Sequence, residues 1–259
     1  MNNKILFITG ATAGFGKAIA FKFAEHGWNI IITGRRAELL KNVEEELKKQ
    51  FDVKVLSLCF DVRKRAEVKE AIDNLPHDWK KINVLVNNAG LASGLSLIQE
   101  GDIDDWETMI DTNIKGLLYV SRAIMPLMIE NKSGHIINMA SIAGKEAYLK
   151  GNIYCATKFA VDALSKSMRI DLLVHGIKVT NIAPGAAETE FSLVRFHGDA
   201  EQAKKTYQGY VPLTAADIAD IVFFAATRPP HVVLNDIVIT PLAQANTAYL
   251  VKNTEEKKA

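Results

Sequence analysis

Tyr154 and Lys158 stand four apart in the stretch "YCATK", and on a helix that spacing puts both side chains on one face. An ammonium beside a phenol favours the phenolate, pulling the tyrosine down from its usual pKa of about 10 until it can exchange a proton with an alcohol or ketone at neutral pH. A single Y-x-x-x-K often arises by chance, and the competing reading is a surface pair with the ring packed beside the lysine stem. Two polar groups precede it: Ser141 at the end of a predicted fifth strand, in "NMAS", and Asn113 in the helical "DTNIKG".

A second group of residues could hold a nucleotide. The first predicted strand runs into "TGATAGFG", where Gly10, Gly14 and Gly16, with Thr12 and Phe15 among them, allow a tight turn and close approach to a pyrophosphate. The helix that follows would aim its N-terminal amides at the anion. The spacing is G-x-x-x-G-x-G rather than the G-x-G-x-x-G fingerprint, so the motif is weak alone; a glycine-rich turn without a ligand is the competing reading. About twenty residues on, where a dinucleotide fold meets the adenosine ribose, the chain reads "TGRR" with no carboxylate. Arg35 and Arg36 there suit the 2′-phosphate of NADP through charge-assisted bonds, Arg35 being the better placed; otherwise both arginines simply begin a solvated helix. The third predicted strand ends in "FDV", where Asp61, followed by Val62, can hydrogen-bond an adenine amino group or cap a helix. The fourth ends in "NNAG", whose Asn88, Ala89 and Gly90 leave room for a ribose, or else form a plain turn.

These residues need a frame that brings strand ends together. Apolar, β-rich runs at 4–9, 29–33, 54–60, 82–87, 135–140, 177–182 and 236–240 read as strands buried on both faces. Amphipathic helices are expected over 14–26, 37–50, 64–74, 103–130 with a break, 152–174 and 214–227. The alternation predicts a Rossmann-type α/β fold, a doubly wound parallel sheet of seven strands with helices on both faces. Ligands of such a sheet bind at the carboxyl ends of the strands, where the residues singled out above fall.

The family likeness emerges from the whole set. "TGATAGFG", "NNAG", the asparagine of "DTNIKG", "NMAS", "YCATK" and "APG" at 183–185 occur in the order and spacing of the short-chain dehydrogenase/reductase family, which the chain resembles over residues 4–245. The resemblance implies that Tyr154 is the general acid/base and that Ser141 hydrogen-bonds the reacting carbonyl. Lys158 would hold the nicotinamide ribose and lower the tyrosine pKa, and Asn113 would shape a proton relay through water to that lysine. It further implies that Pro184, Gly185 and Thr189 close over the nicotinamide carboxamide, and that the protein is a homotetramer built partly on the helix carrying Ala156, Ala160, Ala163 and Leu164. For that helix, packing on its own sheet is the competing reading.

Within the family the late segments resemble the NADP-dependent 3-hydroxy acid dehydrogenases, the group acting on L-serine, L-allo-threonine and 3-hydroxypropanoate or the matching semialdehydes. "TEFSLVRFHGD" supplies Arg195, whose guanidinium fork matches a substrate carboxylate. The sequence departs from relatives at Ala147, where proline is common before the tyrosine, and at Lys150, where small residues are usual. Two other readings stay open. In one, the enzyme reduces neutral ketones, diketones or steroid-like carbonyls and Arg195 faces solvent, so activity does not depend on a substrate carboxylate. In the other, the chain is a non-catalytic NADP-binding sensor or scaffold, for which the proton-transfer set would be superfluous.

Composition restricts the partners. With 259 residues, 48% hydrophobic and 24% charged, the chain suits one domain over 1–250 with a flexible, charged tail at 251–259. A net charge of +1 gives no field to attract nucleic acid or an anionic membrane, which leaves a small molecule as the expected partner. The opening "MNNKILFITGA" is too short an apolar run for a leader or a span, so a cytoplasmic protein is expected. Cys59 and Cys155 lie in apolar patterns and make no disulfide framework, and no His, Cys, Asp or Glu spacing suggests a catalytic metal.

Overall fold

The runs of branched residues do form seven strands. The computed structural model describes residues 4–253. Its strands are β1 (Ile5–Ile8), β2 (Asn29–Gly34), β3 (Val55–Cys59), β4 (Ile82–Asn87), β5 (Gly134–Met139), β6 (Ile177–Pro184) and β7 (Asp236–Ile239). All pair in parallel, in the order β3-β2-β1-β4-β5-β6-β7. The chain winds outward to β3, then crosses back to β4 and winds the other way. The carboxyl ends of β1 and β4 therefore flank the topological switch point, where a crevice opens.

Parallel strands joined by helical crossovers are covered on both faces, and the alternation along each strand shows which side chain goes where. Phe7, Ile31, Leu85, Ile136 and Val179 enter one core layer. Leu6, Ile8, Ile30, Ile32, Val84, Val86, Ile137 and Ile182 enter the other. The helices are α1 (Gly14–Glu25), α2 (Ala37–Gln50), α3 (Arg65–Asp73), α4 (Ile103–Ile110), α5 (Leu117–Glu130), α6 (Asn152–Leu172), α7 (Phe191–Arg195), α8 (Ala200–Thr206) and α9 (Ala215–Ala226). The break expected within 103–130 is a π-helical turn, Asp111–Gly116, that separates α4 from α5 and carries Asn113.

Two expectations of burial fail at the sheet edges. β7 leaves Asp236 and Val238 exposed, and Cys59, which ends β3, is exposed while Cys155 is buried. Each edge strand has a neighbour on one side only, so its outer residues lose the cover enjoyed by β1, β4 and β5. The short helices α7 and α8 fall in a stretch without clear apolar periodicity, which is why the sequence leaves 186–213 unassigned. Of the expected tail, Val251 and Asn253 donate backbone hydrogen bonds to Ala243 and Gly209; residues 254–259 lie outside the described residues. Among the described residues, no helix is long and apolar enough to cross a membrane.

His135 on β5 is an apolar-core histidine. Its Nε2 lies 2.7 Å from Thr180 Oγ1, and Nδ1 is buried without a partner. Burial, with a smaller contribution from Lys178, pulls its pKa down from 6.5 to about 3. The unfolded chain takes up a proton below 6.5 while the folded one refuses it. The stability contribution is therefore full above pH 6.5 and is lost as pH falls toward the folded value. Between pH 7 and pH 5 this residue should remove about 2 kcal/mol of stability. Denaturant melts of wild type and His135→Asn at both pH values check this: the variant should lose that much of the pH slope.

Candidate active site

The crevice at the switch point begins with a backbone turn that only glycine permits. Gly10 (φ +68°) and Gly14 (φ +52°) take left-handed conformations, and a Cβ on Gly16 would stand 2.2 Å from the Gly10 carbonyl oxygen. Asn88 staples this turn to the end of β4: its Nδ2 donates to the carbonyls of Thr9 (2.9 Å) and Gly10 (3.1 Å). Thr9 Oγ1 accepts from the backbone N–H groups of Asn88 and Ala89 in return. The result is a cavity of about 600 Å³, lined along one arm by Gly10, Thr12, Gly14, Phe15, Arg35, Arg36, Asp61, Val62, Asn88, Ala89 and Gly90. Gly16 does not line it; its place is beneath the turn.

The two arginines at the end of β2 are used differently. Arg36 is engaged, donating to Thr12 Oγ1 at 2.7 Å and pairing with Glu190 at 3.4 Å. Arg35 is half exposed, and its one ion pair among the described residues is with Asp61, at 3.7 Å. Asp61 itself is gripped by Arg63, whose Nη2 lies 2.6 Å from Oδ2 and whose backbone N–H donates to Oδ1 at 3.0 Å. Burial alone would raise the Asp61 carboxyl, but the Arg63 bonds and charge, aided by Arg35, hold it below its usual value. It is not a helix cap, since α3 begins after Lys64. A turn whose glycines let a ligand approach the backbone and a half-exposed guanidinium at the β2 end fit a phosphorylated dinucleotide.

The other arm is lined by Ser141, Tyr154, Lys158, Pro184, Gly185, Thr189 and Arg195. Ser141 follows β5, donates to the Pro184 carbonyl at 3.3 Å and accepts from Ala143 N at 3.1 Å. Lys158 is buried, its Nζ donating to the Met139 carbonyl at 2.9 Å and standing 5.7 Å from the centre of the Tyr154 ring. Burial pulls this ammonium down to about 8. Burial also raises the Tyr154 phenol well above its ordinary value, with the Arg195 charge and Ser141 acting in the opposite sense. Burial outweighs both opposing effects, and the cation that opposes it is Arg195 rather than Lys158. Asn113 stays outside the cavity wall. Its Oδ1 accepts from Leu91 N (2.9 Å), and its Nδ2 donates to the Leu91 carbonyl (2.8 Å) and Thr157 Oγ1 (3.0 Å), tying the loop after β4 to α6.

The family follows from the match of the whole frame. The short chain dehydrogenase family profile matches residues 4–198. The chain belongs to this family. It is 48% identical over 242 residues to the NADP-dependent 3-hydroxy acid dehydrogenase YdfG of Salmonella typhi, covering 93% of this chain and 96% of that protein. It is 44% identical over 248 residues to sulfoacetaldehyde reductase 2 of Chromohalobacter salexigens, covering 95% and 98%. Among solved structures, the closed form of serine dehydrogenase complexed with NADP+ superposes with a TM-score of 0.90 at 44% identity, covering 96% of this chain and all of that one.

In this dehydrogenase Arg195 ends α7 and points inward. Its guanidinium carbon lies 4.9 Å from the Tyr154 ring centre and 5.1 Å from that of Phe191. Nη2 donates to the Tyr148 hydroxyl at 2.8 Å, and Nε is buried without a partner. Among the described residues no carboxylate pairs with it. The backbone helps hold it, since the Arg195 carbonyl accepts from Gly94 N at 3.0 Å. Several wall residues escape a reading by motif: Tyr148, Phe191, Tyr207, Tyr210 and Gln244. Gln244 Oε1 accepts from Ala186 N at 2.8 Å and so fastens the start of the α7 segment. Only the aromatic richness of 191–210 hints at such a wall. Among the described residues, no three His, Cys, Asp or Glu side chains gather to hold a metal ion.

Proposed function

We propose that this chain is an NADP-dependent dehydrogenase of small 3-hydroxy acids, the class that includes L-serine, L-allo-threonine, 3-hydroxypropanoate and their semialdehydes. One observation carries the reading: a guanidinium with no carboxylate partner among the described residues, packed on the ring of Tyr154. A carboxylate one methylene from the reacting carbon reaches that cation while the carbinol stays at the tyrosine and serine hydroxyls. Curated relatives bearing the 3-hydroxy acid name support it. The sulfoacetaldehyde reductases at 44% identity support a second anion in the same place, because a sulfonate can occupy the position of the carboxylate.

Bound NADP supplies or takes up the hydride at its nicotinamide ring. Tyr154 gives its proton to the carbonyl oxygen in reduction, the direction suited by a phenol that burial keeps protonated, and in oxidation it must first pass that proton on toward Lys158 before it can accept the one from the substrate hydroxyl. Ser141 donates a hydrogen bond to the same oxygen, stabilising the charge that develops there. Lys158, pulled to about 8, sits near working pH and suits passing a proton onward, with Asn113 holding the loop and helix that frame its path. Gly10, Gly14 and the Asn88–Gly90 segment receive the nucleotide, Arg35 the 2′-phosphate, and Pro184, Gly185 and Thr189 the nicotinamide side.

The assembly is proposed as a homotetramer. Ala156, Phe159 and Ala163 form an exposed strip on α6, with Ala160 and Leu164 half-buried beside them, so a second helix can approach closely. Light scattering on the intact protein should give four times the 28.5 kDa chain mass; a monomer would refute this. Two unpaired cysteines accord with a cytoplasmic setting.

The cofactor assignment predicts that Arg35→Ala raises the KM for NADP about tenfold or more while leaving that for NAD nearly unchanged. Steady-state rates with both nucleotides check it, and an equal loss with each would remove Arg35 from phosphate recognition. The substrate assignment is tested with 3-hydroxypropanoate, 2-hydroxyethanesulfonate and a neutral secondary alcohol. Tyr154→Phe should cost about 100-fold or more in kcat on every substrate. Arg195→Ala should lower kcat/KM for the anionic substrates at least about tenfold more than for the alcohol. Equal losses would sink the anion anchor and favour a reductase of neutral carbonyls, and retained activity in Tyr154→Phe would remove the acid/base role.

A further inference from the structure

Arg195 leaves its anion site incomplete, and the missing part stands beside it. Tyr148 lies in the loop between β5 and α6 and lines the cavity. Its ring is seated against Gly151, where a Cβ would come within 2.5 Å of the ring carbons. The turn is closed by the bond from Gly151 N to the Tyr148 carbonyl at 3.0 Å, and Lys150 between them takes a left-handed φ of +66°. The ring therefore has little freedom, and its hydroxyl is delivered to one place.

That hydroxyl accepts from Arg195 Nη2 at 2.8 Å. A phenol has one proton and two lone pairs, so accepting this bond leaves the proton available. Among the described residues nothing accepts it. A guanidinium, by contrast, can only donate. A carboxylate or sulfonate arriving at Arg195 would thus meet two donors, an N–H of the cation and the O–H of Tyr148.

We propose that Tyr148 is a substrate-binding residue of this dehydrogenase, forming with Arg195 a two-donor clamp for the substrate's anionic group. The proposal rests on the hydroxy-acid reading above. Burial raises the Tyr148 phenol above its ordinary value, with Arg195 opposing, so the hydroxyl keeps its proton over the working range and remains a donor. The clamp also gives a physical reason for the loop geometry. A left-handed Lys150 and a glycine at 151 turn the chain so that the tyrosine faces the cavity next to Arg195.

The test measures binding of malonate, a non-reacting anion, to the NADP+-saturated protein by calorimetry. Wild type, Tyr148→Phe, Arg195→Ala and the double variant are compared, with NADP+ affinity and melting temperature as measures of intact structure. Tyr148→Phe keeps the ring and removes only the hydroxyl. It should weaken malonate binding about tenfold, the scale of one hydrogen bond to a charge, with NADP+ affinity unchanged within about twofold. The double variant should bind malonate more weakly than Arg195→Ala alone. Unchanged malonate affinity in Tyr148→Phe overturns the proposal. So does a parallel loss of NADP+ affinity, which would mark a packing role, or a double variant equal to Arg195→Ala, which would make Tyr148 a mere support for the arginine. If Arg195→Ala itself leaves malonate binding intact, it is the hydroxy-acid reading that fails.

Discussion

The junction of β1 and β4 is the constraint on which the site depends. A doubly wound sheet opens a crevice wherever its winding reverses, but an open crevice is only a gap between two loops. Here Thr9 and Asn88 exchange side-chain and backbone bonds across it, fixing the glycine turn against the end of β4. The turn can be held so tightly only because Gly16 has no side chain to meet the Gly10 carbonyl. From this joint outward, the loop after β4 is fastened to α6 through Asn113. The lysine and tyrosine of α6 thereby acquire a fixed relation to the nucleotide cradle.

Low dielectric then sets the chemistry. Burial moves Tyr154 up and Lys158 down, in both cases favouring the uncharged form. A neutral phenol is a ready proton donor, and a lysine near 8 can hold or release a proton with small cost. Arg195 is the counterweight. Its guanidinium lies on the tyrosine ring and opposes the effect of burial. An anion bound to it would weaken that opposition.

Much of this was legible in the sequence because it is local. A strand is a run of apolar residues, a glycine turn is a set of glycines, and a Tyr-Lys pair four apart must share a helical face. The seven strands, the break in the long helix and the crowding of motif residues at strand ends all follow from such short-range signals. What was not legible depends on neighbours distant in sequence. The exposure of Cys59 depends on β3 lying at an edge, which strand order decides. The grip of Arg63 on Asp61 competes with the role expected of that carboxylate. The sign of the Tyr154 shift depends on how much protein surrounds the phenol, which no spacing reveals.

The substrate segment shows the same limit from the other side. The stretch 186–213 has no strong periodicity because it is not held by a core face of its own; it is held by contacts with other parts of the chain. Gln244 takes Ala186 N, Gly94 takes the Arg195 carbonyl, His197 meets Asp105 at 3.3 Å and Glu190 meets Arg36. Each of these partners is remote in sequence, and three of them, Arg36, Gly94 and Gln244, belong to loops that follow the sheet's own strands. The segment that carries Arg195 is thereby placed by remote parts of the chain, while Tyr154 and Lys158 sit on a helix packed against the sheet. What that segment presents beside the Tyr154 ring in this chain is an arginine, which the loop between β5 and α6 meets with the Tyr148 hydroxyl.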